Sequence, residues 1–130
     1  MSTMRRERGA AAVEFALLLP VLTVILLAIM EFGYGFFVQA SVAGAARVGV
    51  RDYTIHYATA NSQDSAIALA RSGVPDPASF VNGTFSGTCS DGAQSTLTIT
   101  YQYRSLTGLL DQFVGNNVIV TGKASMQCGG

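Results

Sequence analysis

The sequence predicts an α+β chain, with a long N-terminal transmembrane helix that continues into a small extracytoplasmic head carrying a short antiparallel sheet. Three observations predict it. The run Ala10–Met30 is apolar except for Glu14. The stretch Val38–Arg51 that follows is rich in small residues at helical spacing. From Thr96 the texture becomes strict alternation, with Leu97, Ile99, Tyr101 and Tyr103 set against Thr98, Thr100, Gln102 and Arg104.

The composition narrows the function classes. Of 130 residues, 49 % are apolar and 12 % charged. A soluble domain typically carries about 25 % charged residues, and the mean hydropathy here is +0.36. Acidic and basic residues balance at 8 each. No global field therefore argues for nucleic acid. One His and two Cys exclude a Cys/His zinc cluster and a two-His metal site. The glycines are scattered and form no phosphate-binding loop. Neither a cofactor nor a metal is expected. His56 has no accompanying nucleophile or carboxylate pattern, so no catalytic residue is assigned and an extracytoplasmic hydrolase is disfavoured.

As a helix, Ala10–Met30 spans about 31 Å, close to the ~30 Å hydrocarbon core of a bilayer. The remaining chain is too small to cover it on all sides. The run also exceeds a signal-peptide apolar region of roughly 7–15 residues. Arg5, Arg6 and Arg8 precede it, and no Lys or Arg follows until Arg47. The positive-inside rule places residues 1–9 in the cytoplasm and the C-terminal part outside. No A-x-A cleavage pattern marks the end of the run at Ala28-Ile29-Met30-Glu31.

Glu14 is the anomaly, because an unpaired carboxylate inside a bilayer costs several kcal/mol. Two readings stand. The side chain snorkels to the interface or is protonated; or it gains a cationic partner. Were a peptidase to cut after Gly9, Ala10 would carry a free ammonium and Glu14 would be the fifth residue of the mature chain. Residues four apart share a helix face. The carboxylate would then pair with its own terminus or with that of a neighbouring parallel subunit, fixing the subunit register.

The string Arg8-Gly9, Val13-Glu14-Phe15-Ala16-Leu17, Pro20, Glu31-Phe32-Gly33 and Ala45-Ala46-Arg47-Val48-Gly49-Val50-Arg51 resembles the TadE family of minor pilins of tight-adherence (Flp) pili. Gly9 through Phe15 resembles a type IV prepilin processing site. One departure stands at Val48, where the family commonly has an acidic residue. The resemblance is dense over residues 5–51 and only general beyond.

What the resemblance implies is a structural pseudopilin in the bacterial inner membrane, trimmed after Gly9 by an aspartyl prepilin peptidase. It would work there with the major Flp pilin, other minor pilins and the inner-membrane assembly platform. The chain then divides into a leader (1–9), a transmembrane helix (10–31), an extracytoplasmic continuation (32–60) and a head (61–130). The competing class is an unprocessed single-pass anchor that presents an envelope-binding module.

Further features refine the stem. Pro20 removes the hydrogen bond to the Ala16 carbonyl and should kink or loosen the helix, either as a tolerated bend or as a hinge. Phe32, Tyr34, Phe36 and Phe37 read as an interfacial belt in contact with lipid. Ala40 with Gly44, and Ala45 with Gly49, give small-xxx-small spacings that suit tight packing, against the chain's own head or a neighbour. The helix is expected to run to about Tyr53.

In the head, Asn61 or Ser62 could cap a second helix with Ala66, Ile67, Leu69 and Ala70 on its apolar face, ending at Ser72-Gly73. Asn82-Gly83 could form a hairpin turn interrupting a weak strand between Phe80 and Cys89. Leu106, Leu109, Leu110 and Phe113 have helical spacing, and Val118–Gln127 reads as a last strand. Cys89 and Cys128 both fall outside the cell, where the compartment is oxidising. A bridge between them would close a loop of about 38 residues and contribute ~3–4 kcal/mol; two buried thiols are the alternative.

Overall fold

A computed structural model describes residues 3–129, and side chains from Gly9 onward. The side chains of Arg5, Arg6 and Arg8 lie outside the described residues. Helix α1 (Thr3–His56) is followed by α2 (Ser62–Ser72), a short 3-10 turn (Pro77–Ser79), strands β1 (Phe80–Ser86) and β2 (Gln94–Gln102), the short helix α3 (Leu109–Val114), and β3 (Ile119–Gln127). The strands form one antiparallel sheet in the order β1-β2-β3. This is the α+β arrangement expected.

One face of the C-terminal half of α1 makes the core. Val38, Val42, Ala45, Ala46, Val50 and Tyr53 recur at three- and four-residue intervals and are buried. Against them lie Leu97, Ile99 and Tyr101 of β2, with Phe80 and Tyr103 at the sheet's margins. The outward positions of β2 and β3 are polar: Thr96, Thr98 and Thr100 pair with Ser125, Lys123 and Thr121. The sheet is therefore one-sided, its apolar face on the helix and its polar face toward water.

Two glycines let the layers close. A Cβ on Gly122 of β3 would sit 2.5 Å from the Val42 carbonyl oxygen, so β3 crosses α1 backbone to backbone. A Cβ on Gly49 would sit 2.6 Å from a Leu97 methyl and 2.9 Å from the Ala70 Cβ. Gly49 is thus the point where α1, α2 and β2 meet.

The structure corrects several local expectations. Asn82-Gly83 is not a turn. Both residues lie inside β1, opposite Thr100 and Ile99, and Gly83 is absent from the glycines with positive φ. The register shifts instead between Phe80 and Asn82, a bulge that leaves Val81 exposed. The chain reverses over residues 87–93, with Gly87 at φ 89° and Gly92 at φ 80°. At α2, Asn61 occupies the cap position in a left-handed conformation with no side-chain cap bond, and Ser62 begins the helix. Leu69 is exposed; Ala66 and Ala70 alone are the fully buried apolar residues of α2. The stem helix continues past Tyr53 to His56.

Cys89 and Cys128 form a disulfide with a Cα–Cα distance of 5.6 Å. It ties the β1–β2 loop to the end of β3. The Cys128 amide donates to the Ala93 carbonyl and the Gly92 amide to the Cys128 carbonyl. The Tyr57 hydroxyl donates to the Asp91 carboxylate, linking the chain just after α1 to the same loop.

Candidate functional site

The chemistry-bearing features lie along α1, so the candidate site is the stem and its junction with the head. Gly9, Ala10, Glu14 and Phe15 all lie on exposed helix. Ala10 and Glu14 are one turn apart, about 6 Å along the axis. Nothing within 4 Å would meet a Cβ on Gly9. Helix α1 passes through Pro20 and remains helical on both sides. Three residues on, the Thr23 hydroxyl donates to the Leu19 carbonyl at 2.8 Å.

From Val13 to Met30 the large apolar side chains are exposed almost without exception. The most apolar 18-residue window of α1 has a mean hydropathy of 2.6 and none of it is buried. In water that surface would be strongly unfavourable at roughly 25 cal/mol per Å². A helix of this length and composition is a candidate membrane span.

The two small-residue pairs separate in space. Ala45 and Gly49 are buried against α2 and the sheet, whereas Ala40 is exposed and Gly44 has nothing within 4 Å of an added Cβ. The first pair holds the chain's own head. The second stays on the open face of the helix.

Glu31 entered the sequence reading only as part of the family string, with no role assigned to its side chain. It closes the apolar run and is only 5 % exposed. Its Oε1 accepts from the Tyr103 hydroxyl at 2.9 Å and from the Leu106 amide at 3.1 Å. Its Oε2 accepts from the Thr107 amide at 3.1 Å and the Thr107 hydroxyl at 2.9 Å. Four donors saturate one carboxylate and pin the turn before α3 onto α1. Burial, and next the hydrogen bond to this carboxylate, push the Tyr103 hydroxyl up to about 12 from an ordinary 10. The detectable signal was an acid at the end of an apolar helix, which requires donors from elsewhere once buried.

His56 is exposed near the end of α1, with Nδ1 3.2 Å from the Asp52 carboxylate. Among the described residues no three His, Cys, Asp or Glu side chains converge to hold a metal.

A bare apolar helix bearing a small stapled head defines the class: an α+β protein with, among the described residues, one candidate membrane span. The stem also carries a family likeness. Residues 9–51 match the family described as TadE-like protein. The match covers about a third of the chain, and over that segment the stem is similar to TadE-like proteins. No curated protein and no solved structure matches the chain.

Proposed function

We propose that this chain is a minor pilin, or pseudopilin, that takes part in assembling tight-adherence pili after removal of residues 1–9. It waits in the inner membrane with its leader in the cytoplasm and its head outside. A prepilin peptidase cuts between Gly9 and Ala10. The processed subunit then joins the major pilin and other minor pilins at the assembly platform.

One observation carries the reading. Glu14 stands on the exposed apolar helix one turn from Ala10, within a matched segment that begins at Gly9. Trimming would set an ammonium on the carboxylate's own face, or present it to a neighbour's carboxylate in a parallel bundle. The pair offsets two charges that lipid penalises and sets the axial register between subunits. The open Ala40–Gly44 face leaves room for such a neighbour.

Intact-mass analysis or N-terminal sequencing from a piliated host tests this. Ala10 is expected as the first residue. A chain beginning at Met1 or Ser2 reduces the protein to a tether for its head. Glu14→Ala should insert into the membrane as well as the parent or better, yet fail to support piliation. Normal pili in that variant would refute the pairing.

A further inference from the structure

The segment Leu106–Val114 has no role in the processing and pairing just described, yet it presents an unusual surface. Phe113 is 85 % exposed, and Leu106, Leu109, Leu110 and Val114 are exposed beside it. At 100° per residue, Leu109, Leu110, Phe113 and Val114 occupy one arc of α3, and Asp111 and Gln112 the other. Asp111 lines a polar recess with Gln102, Arg104 and Asn116. Leu109, Leu110 and Phe113 instead share a groove with Val24, Leu27 and Ala28 of α1.

That second contact sets the depth. Val24 lies about 10 Å inward of Glu31 along the helix axis. A hydrocarbon core of ~30 Å laid over Ala10–Met30 ends close to Met30. The apolar arc of α3 therefore sits beside the outermost turns of the span, at or below the hydrocarbon edge. The Glu31 clamp holds the Leu106–Gly108 turn there, and the polar recess remains on the water side.

We infer that the apolar arc of Leu106–Val114 is a second membrane contact, inserted in the outer leaflet beside α1, and that its occupant is lipid. The argument is continuity. The patch is an extension of a surface that the span itself must bury in acyl chains, at the same height on the same helix. Interfacial amphipathic elements lie ~5–10 Å deep in the same way. The head would thus be fixed in tilt and rotation on the membrane surface, and leaving the bilayer would require extracting this foot as well as the stem. The inference rests on reading α1 as a membrane span, and the test separates the two.

The chain contains no Trp, so a single introduced one reports alone. Phe113→Trp, Ile25→Trp and Ile55→Trp would each be placed, as full-length chains at one copy per disc, in phospholipid nanodiscs. The lipids would carry bromine near the glycerol end of the acyl chains. Phe113→Trp should lose fluorescence to the bromolipid as Ile25→Trp does. Its emission should be shifted to the blue of Ile55→Trp, which should be quenched only by aqueous iodide. Leu106→Trp should repeat the Phe113→Trp result. Iodide quenching of Phe113→Trp without bromolipid quenching would overturn the inference while leaving the span intact. A blue-shifted emission that neither quencher reaches would also overturn it, assigning the patch to a protein contact. Escape of both Ile25→Trp and Phe113→Trp from bromolipid would remove the span and the foot together.

Discussion

The two halves of α1 are one helix in two settings, one bare and one packed against the head. From Val13 to Met30 it carries Leu, Ile, Val and Phe on every side, and nearly all are exposed. From Val38 to Tyr53 it is one-sided, with small and β-branched residues buried under the sheet. Lipid is non-directional, so a half that is a candidate membrane span needs bulk and apolarity but no particular register. A sheet approaches at fixed points, so the C-terminal half needs Gly49 and the Val42 backbone to be where β2 and β3 arrive. Apolarity thus specifies the first half, and shape the second. Glu31 stands between them, and its polar partners all come from the head.

The contrast is broken most sharply by equal truncations in the two halves of the molecule. Leu97→Ala, at a site with no exposure, should cost the head about 2–5 kcal/mol through lost burial and cavity formation. Leu22→Ala on the exposed stem should change head stability by less than about 0.5 kcal/mol. Denaturant melts in detergent micelles, followed by a head-specific probe, compare the two directly. Equal losses would mean that the halves are not packed by different rules.

Reduction of Cys89–Cys128 is expected next in size. Releasing a loop with a sequence separation of 39 should destabilise the head by ~3–4 kcal/mol while leaving the stem helical. Circular dichroism with and without reductant measures it, and a concerted loss of all helix would contradict the separation of stem from head.

Glu31→Ala removes the acceptor of four hydrogen bonds. Stranding the Tyr103 hydroxyl and the Leu106 and Thr107 amides should cost about 1–3 kcal/mol. The loss should be local, with amide exchange accelerated over residues 105–114 more than in β2. Glu31→Gln keeps one acceptor oxygen and should lie between the two.

The smallest effect is in alkali. Tyr103 titrates at about 12 in the fold against 10 unfolded. A raised folded value means that the neutral hydroxyl's contribution is complete below pH 10 and is lost as pH rises toward 12. Stability measured across that window should fall in the parent, and Tyr103→Phe should fall less steeply. Tyrosinate absorbance follows the ionisation itself.

Much of this was legible in the residues. The alternation Leu97, Ile99, Tyr101, Tyr103 named the buried face of β2 because a strand repeats every two residues, and any register keeps those four together. The helical spacing in the 105–114 segment anticipated α3. Asn82-Gly83 misled because turn chemistry is permissive. The same dipeptide fits a bulged strand when a partner strand supplies the ladder, and Thr100 and Ile99 do so. Leu69 misled because α2 buries only its narrowest side, where Ala66 and Ala70 meet Gly49.

By itself the sequence determined the helical stem, its apolarity, the strand faces and a pair of cysteines in the head. All of these depend on composition and on short periods that a local stretch carries alone. Only the tertiary structure decided which small-residue pair holds the head, where the chain turns between β1 and β2, and what satisfies Glu31. Its donors lie 72 to 76 residues away. Pairings at that separation are set by how the sheet seats on the helix, a geometric outcome that no local pattern encodes.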